Sequence, residues 1–329
     1  MKAFLGCLAL AGFSMVAHAA DASFTDDGKA VYALSESGLE RIDLTSGEIS
    51  KVDPEGVDSI DAICRAGDGA FYLLTSETLW RWKPDAGPAL SILKPLQEGQ
   101  SFEDVACDPK TGRILIIGRE KTSDDDSRCR LFFKPDSDHP LLRVRLRHLD
   151  DATIRGAEFL PDGSLLFGAE GDLWHGVTGV EPTDEPDRPY GDITAYRYAP
   201  VGERFTYSGT PSETGVREIA AGAGHVFVHI SRIGGSGWGH LSWLASPPTM
   251  VDDHFETRNS VEDSIRALQS VKELEDNGSR SYLCSSPDGK RVYFTSGMGE
   301  GRTHFLCDST IELGEPQPFR IGDKILPRD

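Results

Sequence analysis

The sequence is poor in positive charge and carries none of the compact motifs that name a chemistry. Its 34 Lys and Arg face 53 Asp and Glu, for a formal net charge of -19. So acidic a surface repels phosphodiesters and anionic headgroups, which excludes nucleic acid and anionic lipid as partners and leaves cations, basic proteins and neutral glycans open. No serine sits in GxSxG, no histidine pair forms HExxH, and no cysteine pair has CxxC, CxxCH or zinc-ligand spacing. A nucleophile elbow, a zinc-protease helix, a c-type haem and a structural zinc are therefore not encoded locally. Asp124 to Asp126 lacks the D-x-D-x-D-G spacing of a calcium loop, and the glycine-rich Ile233 to His240 lacks the Lys and Ser/Thr of a phosphate loop. An enzyme built on this chain must assemble its site from distant segments.

A long apolar run is missing as well. Ala3 to Val16 follows Lys2 and ends at Ala17-His18-Ala19, shorter than the ~20 residues that span a bilayer. Charged, apolar and small residues in that order predict a secretory signal over 1–19, export to the periplasm or medium, and no membrane insertion. Residues 20–329 then form one domain, whose length suits a ring of small sheets better than a single core.

The chain does have a repeat. In CSSPDGKRVYFTS, Cys284 to Ser296, a tight turn at Pro287-Asp288-Gly289 is followed by β-branched and aromatic residues that read as a buried strand. Sister hairpins follow Gly28 (VYALSES), Gly69 (FYLLTSE), Gly112 (ILIIGRE), Gly163 (LLFGAEG) and Gly224 (VFVHISR). Successive turn glycines stand 41, 43, 51, 61 and 65 residues apart. Strand-built periods of this size predict propeller blades. The expected fold is all-β, a six-bladed β-propeller, with the innermost strand of blade one at the N-terminus and the outermost strand of blade six at the C-terminus. Aromatics on third strands, Trp80, Phe132, Trp174 and Trp243, are expected to wedge between blades.

Two insertions widen the later repeats. The acidic, Pro-rich stretch after Gly179 is loop, and ITAYRYA and ERFTYSG beyond it are an outer strand plus a hairpin, with a degenerate seventh blade as the alternative. Val261, Ile265 and Leu268 at helical spacing predict a short amphipathic helix over 261–274, within an insertion at about 250–279 that covers a blade or lids the ring.

Over Ser285 to Gly297, SSPDGKRVYFTSG resembles the repeat of TolB-like and WD-like propellers of exported bacterial proteins; FLPDGSLLFG matches in part. The resemblance implies the propeller fold. Members of that superfamily range from protein-docking scaffolds to hydrolases and lyases, so it leaves activity open.

Cys64, Cys107 and Cys284 each stand five residues before a turn glycine, at one level of three innermost strands. Cys129 and Cys307 lie on third strands, two strand spacings from the first and beyond disulfide reach, so buried thiols are expected over bridges. Three residues before that cysteine level stand Asp61, Asp104 and Arg155, with Arg217 and Arg280 close to it in blades five and six. Loops on the same face add Glu77, Glu120, Glu170, Arg232 and Glu300. The candidate ligand-binding set is therefore Asp61, Asp104, Arg155, Arg217, Glu170 and Arg280. Asp61 and Asp104 are the candidate metal ligands; no cofactor is required, and calcium is the cation they would suit. The resulting reading is a monomeric, exported, non-catalytic binding or scaffold propeller that recognises a protein partner or small polar ligand at the channel mouth. The alternative is a propeller hydrolase or lyase acting on a glycan or lactone, with a divalent cation.

Overall fold

The computed structural model describes residues 21–35, 38–94, 100–108, 110–121, 127–135, 141–147, 149, 154–160, 162–169, 172–177, 190–199, 213–223, 225–233, 239–245, 269–270, 282–296, 302–310 and 318–321. The expected signal segment lies outside them. The described residues form 24 strands and no helix. No helix among them is long and apolar enough to cross a membrane.

The strands fall into six antiparallel units of four. Blade one holds β1 (Ala22–Phe24), β2 (Ala30–Ser35), β3 (Gly38–Asp43) and β4 (Ile49–Val52); blade two holds β5 (Ala62–Gly67), β6 (Ala70–Thr75), β7 (Thr78–Trp82) and β8 (Leu90–Leu93). Blade three is β9 (Gln100–Asp108), β10 (Arg113–Lys121), β11 (Ser127–Lys134) and β12 (Leu142–Arg147), and blade four is β13 (Ile154–Phe159), β14 (Leu165–Ala169), β15 (Asp172–Val177) and β16 (Tyr190–Ala199). Blade five is β17 (Glu213–Ala221), β18 (His225–Ile233), β19 (Gly239–Ala245) and β20 (Gln269–Ser270); blade six is β21 (Leu283–Ser285), β22 (Arg291–Ser296), β23 (Thr303–Asp308) and β24 (Pro318–Ile321).

These units make five hydrogen-bonded sheets where six separate ones are expected. Blades three and four share an eight-stranded sheet, because their outermost strands pair in parallel from Arg143↔Tyr190 to Arg147↔Thr194. ITAYRYA is thus the outer strand of blade four; ERFTYSG lies outside the described residues. The predicted helix over 261–274 is corrected where it can be seen. Gln269 and Ser270 are strand, pairing with Trp243 and Ser242. The open edge of β19 offers backbone donors and acceptors, and satisfying them outweighs a short helical pattern.

Innermost strands touch in chain order, β1 to β5, β9, β13, β17 and β21, and β21 returns to β1. Six apolar clusters fill the six interfaces this ring creates. Because each blade is covered on both faces, its middle strands are apolar without alternation, as in the wholly buried LLFGA of β14. Phe132 is buried between blades two and three, while Trp80 and Trp174 pack against the first and third interfaces. The last interface closes through side chains, with no shared strand: Phe24, Val31 and Ala33 pack on Tyr282 and Tyr293, and Arg291 donates to the Gly28 carbonyl at 2.7 Å.

The repeated turn explains its own signature. Asp288 Oδ1 accepts from the Lys290 amide at 3.0 Å and from the Ser286 hydroxyl, whose oxygen accepts from the Arg291 amide at 2.9 Å. Those bonds hold the Asp288 carboxyl below its usual pKa, with the Ser286 bond the largest cause. Gly289 has φ 69°, which an L side chain rarely adopts, and the Ala223 amide of blade five donates to its carbonyl at 2.6 Å. The SPDG turn is a framework clamp between neighbouring blades.

Candidate functional site

Counting five residues back from each turn glycine gives Ser23, Cys64, Cys107, Glu158, Ile219 and Cys284. All six line one cavity of about 60 Å³ on the axis of the ring, one residue from each innermost strand. That space holds a few waters and no more. The three thiols are unbridged, so the expectation of thiols over disulfides holds for Cys64, Cys107, Cys284 and Cys307; the Cys129 side chain lies outside the described residues. Cys64 and Cys107, from adjacent blades, are within hydrogen-bonding reach of one another. Burial is the main reason both Cys64 and Cys284 titrate well above an ordinary thiol.

Glu158 is the residue that sequence reasoning missed. It borders the small axial space and is half-buried. Desolvation pushes its carboxyl up to about 8; Arg65 opposes the shift, Asp104 adds to it, and the Ser285 hydroxyl from blade six lies within bonding reach. Glu158, Cys64 and Cys284 are thereby held neutral at pH 7, and the Arg65 guanidinium at the edge of the waist pairs with Asp26 at 3.6 Å. The signal was available: the glycine count that located the cysteines reaches Glu158 when it is applied to blade four.

The predicted mouth residues stand about 10 Å further along the innermost strands, three residues at ~3.3 Å each. Asp61 enters β5, its amide donating to the Leu74 carbonyl at 2.7 Å. Asp104 lies buried on β9, where Oδ1 accepts from the Val105 amide at 2.6 Å. Arg155 and Arg217 are placed by backbone, on β13 and β17, each beside a register shift; Arg217 is itself the extra residue between Val216 and Glu218. Glu170 and Arg280, like Glu300, lie outside the described residues. Bulges at this height in blades three, four and five turn the strand ends away from regular pairing.

Charges at the described rim neutralise one another. Glu120, expected in a loop, sits on β10, where it meets Arg143 at 2.9 Å and Arg130 at 3.3 Å. Arg119 pairs with Glu103 beside it. Among the described residues, no three His, Cys, Asp or Glu side chains converge to hold a metal ion. Calcium takes six to eight oxygens, so Asp61 and Asp104 are not a sufficient set among these residues.

A larger hollow opens on the same face. About 400 Å³ lies between the β2–β3 hairpin of blade one and the linker from β4 to β5, with Leu39 and Val57 in its wall and Lys51, Asp53 and Asp58 among its lining. Ile60, next to Asp61, closes one end. Volumes of this order accommodate small ligands.

On the opposite face, His175 Nε2 lies 2.8 Å from Ser164 Oγ, but that hydroxyl donates to Asp162 at 2.6 Å. Its proton is directed at Asp162 and not at the imidazole, so the trio clamps a turn and does not activate a nucleophile.

No protein-family model matches the chain, and no curated protein matches it. Solved structures do. The chain superposes on a putative gluconolactonase with TM-score 0.52 and 15% identity, covering 92% of this chain and 91% of that one. For the calcium-binding protein regucalcin of Agrobacterium tumefaciens the TM-score is 0.51 at 14% identity, with 87% and 84% covered. TolB of Acinetobacter baumannii gives TM-score 0.50 at 12% identity, covering 91% of this chain and 65% of that chain. At such identities the likeness is one of fold, and the resemblance drawn from the SPDG repeat stands at that level.

Proposed function

We propose, from the propeller fold shared with these structures, that the protein is an exported, monomeric, non-catalytic binding or scaffold module. It recognises a protein partner or a small polar ligand on the face where the innermost strands begin. The contrast between two cavities carries this reading. The waist offers about 60 Å³, too little for a substrate, whereas the hollow beside Asp61 offers about 400 Å³ with charges of both signs. Apolar walls supply affinity there, and Lys51, Asp53 and Asp58 supply orientation. Export rests on the N-terminal sequence, and the net charge of -19 disfavours nucleic acid and anionic lipid.

The competing reading, a hydrolase or lyase for a glycan or lactone with a divalent cation at Asp61 and Asp104, draws support from the names of two structural neighbours. One experiment separates the two. The full chain is incubated with glucono-1,5-lactone, with and without calcium, while acid release and melting temperature are followed. The binding module gives no release above the buffer blank and no calcium-dependent rise in melting temperature. Turnover that Asp104→Ala abolishes would overturn it in favour of the enzyme.

A further inference from the structure

The channel waist has a chemistry that recognition at the rim does not use. Cys64 and Cys107 pack in one cluster across the blade two to blade three interface, where β5 packs on β9. Both border the axial cavity, and so does the guanidinium-bearing Arg65. A hard cation such as calcium or magnesium wants oxygen ligands, and zinc wants four ligands in a tetrahedron. Among the described residues no such convergence of three or more ligands exists. Two thiols alone, in a small enclosed space, match soft monovalent ions of filled d shell, which are content with two sulfurs.

We propose that Cys64 and Cys107 form a two-coordinate site for a soft monovalent cation, Cu(I) in chemical class, at the waist of the propeller channel. Binding breaks two S–H bonds and forms two metal–sulfur bonds. Both protons leave to water, and no electron is transferred. The resulting bis-thiolate complex carries one negative charge, and the Arg65 side chain, which also pairs with Asp26 at 3.6 Å, borders the same cavity. Cys284 lies on the same ring level, on blade six, and is not a ligand. Because two protons leave per ion, affinity rises about 100-fold per pH unit while the thiols are protonated.

The test titrates the reduced, full-length protein with Cu(I) under anaerobic conditions against a chromogenic Cu(I) chelator, with Ag(I) as a redox-inert stand-in. One ion per chain and about two protons released per ion are expected. Cys64→Ser and Cys107→Ser should each weaken binding on the order of 100-fold or more, while Cys284→Ser leaves it unchanged. Should the serine variants unfold, X-ray absorption at the metal edge of the loaded native protein decides the matter, with two sulfur neighbours expected. No ion retained against the chelator, equal binding in all three variants, or a shell of three or more ligands would overturn the site.

Discussion

The waist of the channel and its rim lie about 10 Å apart on the same strands, three residues at ~3.3 Å each, yet handle charge in opposite ways. At the waist, burial keeps Glu158, Cys64 and Cys284 protonated. At the rim the acids are met by bases, as Glu120 is by Arg130 and Arg143. The waist is set by a repeat, one residue per blade at a fixed distance from the turn glycine. The rim is set by strand ends and insertions that differ from blade to blade. A repeated framework thus gives the closed layer, and irregularity gives the open one.

The largest expected effect breaks the neutrality of the waist. Glu158 keeps its proton in the folded protein up to about pH 8, whereas its ordinary value is 4.5. Between those values the folded state binds more protons than the unfolded one, so stability falls as pH rises across this window and levels off above it. The loss is on the order of 5 kcal/mol at most. Glu158→Gln should remove this slope and melt higher than the parent at pH 8.5, with little difference at pH 4.5. Asp104→Asn sharpens the point, since removing that neighbouring charge should move the midpoint of the slope to lower pH. Melting temperatures of the three proteins across pH 4.5–8.5 check both.

A smaller effect is expected at the rim. Glu120→Gln leaves Arg130 and Arg143 facing an amide in a partly buried site, and should cost ~1–2 kcal/mol in urea unfolding. That cost should shrink in 1 M salt, because a pair near the surface is screened. The smallest effect belongs to the more open surface. Arg81 donates twice to Asp68, at 2.7 and 2.8 Å, but the Asp68 side chain is 63% exposed and that of Arg81 34%. Arg81→Ala should change stability by less than ~0.5 kcal/mol. If Arg81→Ala cost more than Glu120→Gln, the graded contrast between buried and open charge would fail.

Much of the framework was legible because turn glycines and apolar strands are local signals. The aligned hairpins located six blades, the strand order within each, and the three cysteines on one level. Glu158 was equally legible by the same count from Gly163, which puts it three residues after Arg155. The parallel pairing of β12 with β16 was not legible. It depends on how far two neighbouring blades splay, which no residue in RVRLR or YGDIT encodes. Nor was the pairing of Gln269 with Trp243, where an open strand edge prevailed over a helical spacing. Asp61 and Asp104 could be put at one height from spacing. Which bases face Glu120 could not, since that requires the cross-strand register of β10 with β11 and the packing of Arg143.

The separation of a closed waist from an open face is tested most directly by labelling the native protein with a bulky maleimide and reading Cys64, Cys107 and Cys284 by peptide mass. The account predicts that all three react only as fast as the protein unfolds, and that adding denaturant accelerates the three together. Rapid labelling of Cys107 or Cys284 in the folded protein would contradict it, because a waist that admits a maleimide is wide enough to admit a substrate.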